Sequence, residues 1–326
     1  MIDRRQFLAA GSAAALLALV PGLNGPAFAQ GIDQLQLFVP AAPGGGWDQT
    51  ARTMEQALRA ENLIKGAQIT NVGGAGGTVG LPQFVNRFKG RGDALMVGGM
   101  VMVGAIIANK SPVKLTQTTP IARLTGESLV LVVPENSPIK SAKDFVEALK
   151  KDAAKVPVAG GSAGGSDHIL LGLLGKAGGV EPSKLNYVAF AGGGPAQAAL
   201  LGGHVAGGIS GYGEFAEQIK AGKLRAIAVS GETREAGIDV PTFEEQGIDV
   251  SLVNWRGVFA PPGITDAERK SITTLVETMA KSKSWQAELE KRGWAGVLLT
   301  GDDFAKFVTD ETQRIEGILK DLGLAT

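Results

Sequence analysis

The stretch PAAPGGGWD, residues 40–48, places three consecutive glycines between two segments of different period. Before it, Leu35, Leu37 and Val39 alternate with polar neighbours as in a strand; after it, Ala51, Met54 and Leu58 recur at helical spacing. The reading is strand, glycine loop, helix. Such a junction aims several backbone N–H groups and the positive end of a helix at one spot, a site for an anion. The device recurs: GGSAGGSDH, residues 160–168, follows a second strand-like run, and the glycines from Gly192 to Gly194 follow a third.

Composition narrows what such a chain can do. The 326 residues carry 32 basic and 32 acidic side chains, so no global field steers the protein towards nucleic acid or an anionic membrane. The 47 glycines are about twice the usual ~7% share, which fits many tight strand-to-helix turns. There are no cysteines, which excludes disulfides, thiolate chemistry and cysteine metal sites. Two isolated histidines offer no transition-metal site, and no cofactor is expected.

Residues 1–29 read as an export address. Arg4 and Arg5 open RRQFL, an apolar run extends from Ala9 to Val20, and Ala27, Phe28 and Ala29 form a small-x-small cleavage signature before Gln30. The run is shorter than the ~20 residues a membrane span needs, and the paired arginines resemble a twin-arginine signal. A periplasmic location is expected, with a mature chain long enough for two lobes.

Strand–helix alternation continues along the chain. Gln68 to Val72 leads through GGAGGTVG, and Ala94 to Gly98 leads to a helix ending near Asn109. A second block begins at Leu129 with LVLVVP and runs through the strands Val156 to Ala159, Asn186 to Phe190, Val205 to Ile209 and Leu224 to Val229. From Asn254, NWRGVFAPPG reads as a strand ending in a proline turn, and the remainder reads as helical. This is α/β patterning with parallel strands. Crossings between lobes are expected near Glu127 to Leu129 and near Val253 to Arg256. Residues 30–127 plus 255–326 then form one discontinuous lobe and residues 128–254 the other, with glycine loops of both facing one cleft.

Two enzymatic readings compete with an anion receptor. Gly160, Ser162 and Gly164 match G-x-S-x-G, yet His168 follows the serine on its own helix and His204 lies far upstream of where a hydrolase supplies its base. Gly211, Gly213 and Ala216 match a dinucleotide fingerprint with Glu232 beyond, which would suit an exported nucleotide-dependent oxidoreductase. Other residues carry two readings each. Asp48 is a helix N-cap or a cleft residue, and Trp47 walls the cleft or packs a lobe. Ser162 and Ser166 donate hydroxyls to a carboxylate or cap a helix; Arg256 grips a carboxylate or pairs with a neighbouring acid.

The loops PAAPGGGWD, GGAGGTVG and GGSAGGSDH, the segment from Asn186 through GGHVAGGISGYGEFAEQIKAGKLRAIAVS, and NWRGVFAPPG together resemble the solute-binding proteins of tripartite tricarboxylate transporters. Trp47 and Arg256 resemble the citrate-type branch. The resemblance implies a type II periplasmic binding fold, two α/β lobes joined by a two-strand hinge, and no enzymatic activity. It implies a monomer that closes on a di- or tricarboxylate and delivers it to large and small integral membrane subunits. The ligand-binding residues it implies are Gly44, Gly45, Gly46, Trp47 and Asp48 in one lobe and Ser162, Gly164, Gly165, Ser166 and His168 in the other. Gly76, Gly77, Thr78, Ser210, Tyr212 and Arg256 complete the set. On this reading main-chain donors line the cleft, and a gap lined by acids would speak against it.

Overall fold

The computed structural model describes residues 32–234 and 237–325, so the export address read at residues 1–29 lies outside the described residues. The first βαβ units are β1 (Gln34–Val39), α1 (Gly46–Ala60), β2 (Gly66–Asn71), α2 (Gly80–Arg87), β3 (Ala94–Gly99) and α3 (Met100–Ala108). A long strand, β4 (Thr119–Pro134), and helix α4 (Ala142–Asp152) lead to β5 (Val158–Gly160), α5 (Ser166–Ala177), β6 (Tyr187–Ala189) and α6 (Gly193–Leu201). Then come β7 (Gly207–Gly211), α7 (Tyr212–Lys220), β8 (Leu224–Val229) and β9 (Val253–Ala260). The chain closes with α8 (Asp266–Ala280), α9 (Lys283–Arg292), β10 (Ala295–Thr300) and α10 (Gly301–Asp321).

Two stretches of sheet share one strand. The first runs β2-β1-β3-β9-β4-β10 and the second β6-β5-β7-β4-β8. β4 changes partners in one step: Ser128 lies opposite Val253 of β9, whereas Leu129 lies opposite Gly211 of β7. A buried serine fastens the changeover, since Ser230 Oγ accepts from Leu129 N–H at 2.9 Å and donates to Leu252 C=O at 2.5 Å. Both strand segments that pass between the sheets are thereby tied side by side, so movement there bends the pair together.

Side-chain alternation explains how β4 serves both faces of the second sheet. Leu129, Leu131 and Val133 join the main core, while Val130 and Val132 join a smaller core with Phe215, Leu200 and Val229. A strand buried on both faces reads as a continuous apolar run, which is why LVLVVP stands out. β9 uses the same period of two for a different end. Trp255 packs edge-on against Phe304 and Phe307 of α10 and donates Nε1–H to Glu311, while Asn254 and Arg256 point to the opposite side.

The βαβ units are parallel as read: β1 with β2 and β3, and β5 with β6 and β7. The central strands are not. β9 runs antiparallel to β3 and β4, and β4 runs antiparallel to β7, β8 and β10. Two elements differ from expectation. β4 begins at Thr119, well before the apolar run, because its first half mixes the core residues Ile121 and Leu124 with Arg123, which lies over the Phe307 ring, and with buried Thr125 and Glu127. β10 occupies part of the C-terminal region read as wholly helical; it is a half-exposed edge strand whose register shifts against β4, leaving no clean period. No helix among the described residues is long and apolar enough to cross a membrane.

Candidate ligand-binding site

Several helices begin at one place. The N-terminal ends of α1, α5, α6 and α7, with Gly76 and Gly77 from the loop after β2, surround a cavity with about 90 Å³ open to the centres of water molecules. Each of these four helices has a glycine at its N-cap, namely Gly45, Gly165, Gly192 and Gly211, with no side-chain cap bond. The backbone ladder of α1 begins at Gln49 N–H to Gly45 C=O and that of α5 at Ile169 N–H to Gly165 C=O. The amides of Gly46 and Trp47, and those of Ser166 and Asp167, therefore precede the ladder. Gly192 supports this geometry with φ 132°, a conformation that side chains rarely adopt.

Arg256 forms one wall. Its guanidinium pairs with Glu127, stacks 5.0 Å from the Trp294 ring centre and lies against the Cα of Gly46, where any Cβ would collide with it. The pair is diagonal across the antiparallel β4–β9 ladder, in which Glu127 faces Asn254 and Arg256 faces Thr125. Arg256 is only 2% exposed, yet its Nη1 has no hydrogen-bond partner, and neither has Oδ1 of Asn254 at 6% exposure. Buried polar groups are nearly always satisfied, so these two atoms are exceptions, and both belong to residues of the cavity wall.

Two further carboxylates share the wall. Asp167 accepts from Gly161 N–H at 2.7 Å and from Ser166 Oγ–H at 2.9 Å; Glu214 accepts from Ser210 Oγ–H at 3.0 Å. Burial pushes Asp167 up to about 6, and the Glu127 charge adds to this while Arg256 opposes it. Burial likewise pushes Glu214 up to about 7, raised further by Glu127 and Asp167 and moderated by Arg256. The expectation of a cleft lined by main-chain donors is corrected on this point: acids share the wall with the amides. Asp167 and Glu214 both occupy the first turn of a glycine-capped helix, as Asp48 does, a position that does not by itself say which way the side chain turns.

Of the expected site residues, the cavity brings together Gly45, Gly46, Trp47, Gly76, Gly77, Ser162, Ser166, Ser210 and Arg256. Others lie behind it. Asp48 does not cap α1; its carboxylate reaches back to Gly44 N–H at 2.9 Å and also accepts from Arg52 and Asn71, so both Gly44 and Asp48 are engaged. Gly164 packs on Gly104 and Ala108, and the N–H of Gly165 donates to Ser162 C=O. His168 stacks on Tyr187 at 4.1 Å with its Nδ1 accepting from Gly164 N–H, and burial holds its pKa down at about 4. Thr78 closes its own turn by donating to Ala75 C=O, and Tyr212 faces a separate depression with Gln49 and Arg292. Lining residues outside the expected set are Gly74, Asp167, Gly193, Glu214 and Asn254, with Glu127 behind Arg256; of these, Gly74, Asp167 and Gly193 lie in glycine loops that the sequence singles out.

Across the cavity, Ser162 Oγ accepts from Gly76 N–H at 2.8 Å and so links the loops after β5 and β2. The serine of the elbow-like motif is thus held by a backbone amide, and His168 faces Tyr187 instead of it. At the dinucleotide-like motif, Gly211 abuts the Glu127 carboxylate and Gly213 N–H donates to the same group at 3.4 Å, so negative charge occupies the place a phosphate would take. Among the described residues, no three His, Asp or Glu side chains are grouped to hold a metal ion.

Residues 50–324 match the model of the tripartite tricarboxylate transporter family receptor. Protein BugT of Bordetella pertussis is 28% identical over 295 residues, covering 89% of each chain. Among solved structures, R. palustris Rpa4515 with adipate aligns at TM-score 0.82 and 22% identity over 90% of this chain and 98% of its own. MatC from Rhodopseudomonas palustris with bound malate aligns at 0.77 and 24% over 88% and 98%. These likenesses match the shared-strand architecture above to the two-lobed type II binding fold. The chain belongs to the tripartite tricarboxylate transporter receptor family.

Proposed function

We propose that this protein is a periplasmic receptor that captures a small carboxylate between two lobes, residues 30–127 with 255–326 and residues 128–254, and delivers it to large and small membrane subunits. The observation that carries the reading is the unpartnered Nη1 of buried Arg256 beside the open first-turn amides of α1. On this reading the chain works as an exported monomer with no catalytic step, and Arg4 and Arg5 direct it through a twin-arginine route.

Magnitudes require several donors at once. A micromolar complex needs ~8 kcal/mol, whereas one helix terminus supplies ~0.3 to 1. Four charge-assisted hydrogen bonds at ~1.5 to 3 kcal/mol each give ~6 to 12 before ordering costs. The donors in reach come from α1, α5, α6 and Arg256, which lie on both sides of the changeover in β4, so the solute binds the closed arrangement better than the open one.

The neighbours with malate and adipate support a carboxylate as the solute class. A citrate-like acid was the expectation from Trp47 and Arg256. Asp167 and Glu214 favour fewer carboxylates than citrate carries, because a second or third anionic group meets like charge there. Calorimetry of the purified protein against a panel of mono-, di- and tricarboxylates tests the class. One-to-one binding of at least one acid is expected, and a response only to sugars or to polyamines without a carboxylate would refute it.

A further inference from the structure

The charge balance of the cavity wall goes beyond a plain carboxylate site. Arg256 is neutralised by Glu127, and the other charged residues lining the cavity are both acids, Asp167 and Glu214. Ser210 occupies Oε2 of Glu214, which leaves Oε1 able to accept, and the buried Oδ1 of Asn254 has no donor. The wall therefore offers one unfilled side-chain donor, Arg256 Nη1, beside the open first-turn amides, and it also offers acceptors, Asn254 Oδ1 and Glu214 Oε1, that a purely acidic solute cannot serve. We propose that the solute is an amino-carboxylate: its carboxylate is held by Arg256 Nη1 and the first-turn amides of α1 and α6, and its protonated nitrogen by Asn254 Oδ1, Asp167 and Glu214. This rests on the receptor reading above and narrows it.

Glycine makes the arrangement possible. Gly193 at the start of α6 leaves the space that Glu214 and Ser210 Oγ fill, since a Cβ there would overlap the Glu214 carboxylate. The acid is thus seated against the same helix end whose amides face the solute carboxylate. Opposite poles lie a few ångströms apart, which suits a molecule carrying both charges and penalises one carrying a single sign at both ends.

The test is calorimetry at pH 7.5 with three matched pairs: aspartate and succinate, glutamate and glutarate, 4-aminobutyrate and butyrate. In at least one pair the amine-bearing member is expected to bind at least tenfold more tightly. Glu214→Gln should weaken that member at least tenfold and leave the nitrogen-free member unchanged or tighter; Asn254→Ala gives a second variant should Glu214→Gln melt early. Heat only from nitrogen-free acids, from none of the six probes, or an equal loss for both members overturns the proposal. The receptor reading survives those results if another carboxylate of the wider panel binds, and falls with it if the whole panel is silent.

Discussion

Two kinds of helix start contrast in this protein, apart from α2, α3 and α10, which have Val79, Gly99 and Thr300 at their N-caps and no side-chain cap bond. Around the cavity, α1, α5, α6 and α7 begin at glycines that give no side-chain cap. Away from it, α4, α8 and α9 begin at Ser141, Thr265 and Ser282, whose hydroxyls accept from N–H groups of their own first turns. A hydroxyl cap satisfies the helix from within and stabilises it by ~1 kcal/mol. A glycine cap forgoes that and leaves the donors free, with room for another group to approach. The arginine against Gly46 and the glutamate against Gly193 occupy such room. Hydroxyl caps close α4, α8 and α9 from within, whereas the helices around the cavity keep first-turn donors that a solute can take.

The strongest way to break the comparison is to remove the charge that anchors the glycine-capped side. Arg256→Met leaves Glu127 buried without its partner, which should cost ~3 to 5 kcal/mol of unfolding free energy by denaturant titration. Adding Glu127→Leu should recover most of that stability while carboxylate binding stays lost. If binding returns with stability, Arg256 serves the fold alone.

Next comes the acid seated on α6. The Glu214 carboxyl is raised from 4.5 to about 7. Below the unfolded value both states hold the proton; between the two values the unfolded chain releases it while the folded chain keeps it, so stability falls as pH rises and the full cost stands above pH 7. Glu214→Gln should therefore stabilise the ligand-free protein by up to ~3 kcal/mol at pH 8 and by almost nothing at pH 4, read from denaturation at both pH values. A gain of equal size at both would show that packing, not charge, is responsible.

These contrasts separate what was legible in the sequence from what was not. Glycine loops after short strands are local features, so the positions of Gly45, Gly46, Gly76, Gly77 and Ser162 could be read one loop at a time. The apolar period likewise announced the second half of β4. Its first half was hidden because Arg123, Thr125 and Glu127 interrupt the apolar run, Arg123 lying over Phe307 and Glu127 pairing with Arg256. The acids were hidden for a related reason: Asp48, Asp167 and Glu214 all sit in the first turn of a glycine-capped helix, where the sequence pattern is the same for each. Only the fold separates Asp48, turned back onto Gly44 and Arg52, from Glu214, turned into the cavity. His168 misled in the same way, being one residue beyond Asp167 and facing Tyr187.

A smaller effect tests the glycine cap itself. Gly45 has φ −76° and ψ 169°, ordinary for a capping residue, and a Cβ there meets only Ala42 C=O at 3.7 Å. Gly45→Ser should thus fit without strain and supply the hydroxyl that α1 lacks. Stability should rise by a few tenths of a kcal/mol, while carboxylate affinity by calorimetry falls about tenfold, because the new hydroxyl engages an amide otherwise open to the solute. Unchanged affinity would mean that the α1 amides do not touch the ligand.

The smallest change is expected at the opposite kind of helix end. Thr265 accepts from Glu268 N–H at 3.3 Å, and Glu268 returns the bond to Thr265 N–H at 2.8 Å, so the start of α8 is closed on itself. Thr265→Ala removes one half of this box and should cost ~1 kcal/mol in thermal or denaturant unfolding with no change in solute affinity. A loss of affinity on opening α8 would mean that the self-capped ends also feel the ligand, and the division between stabilising and binding helix starts would no longer hold.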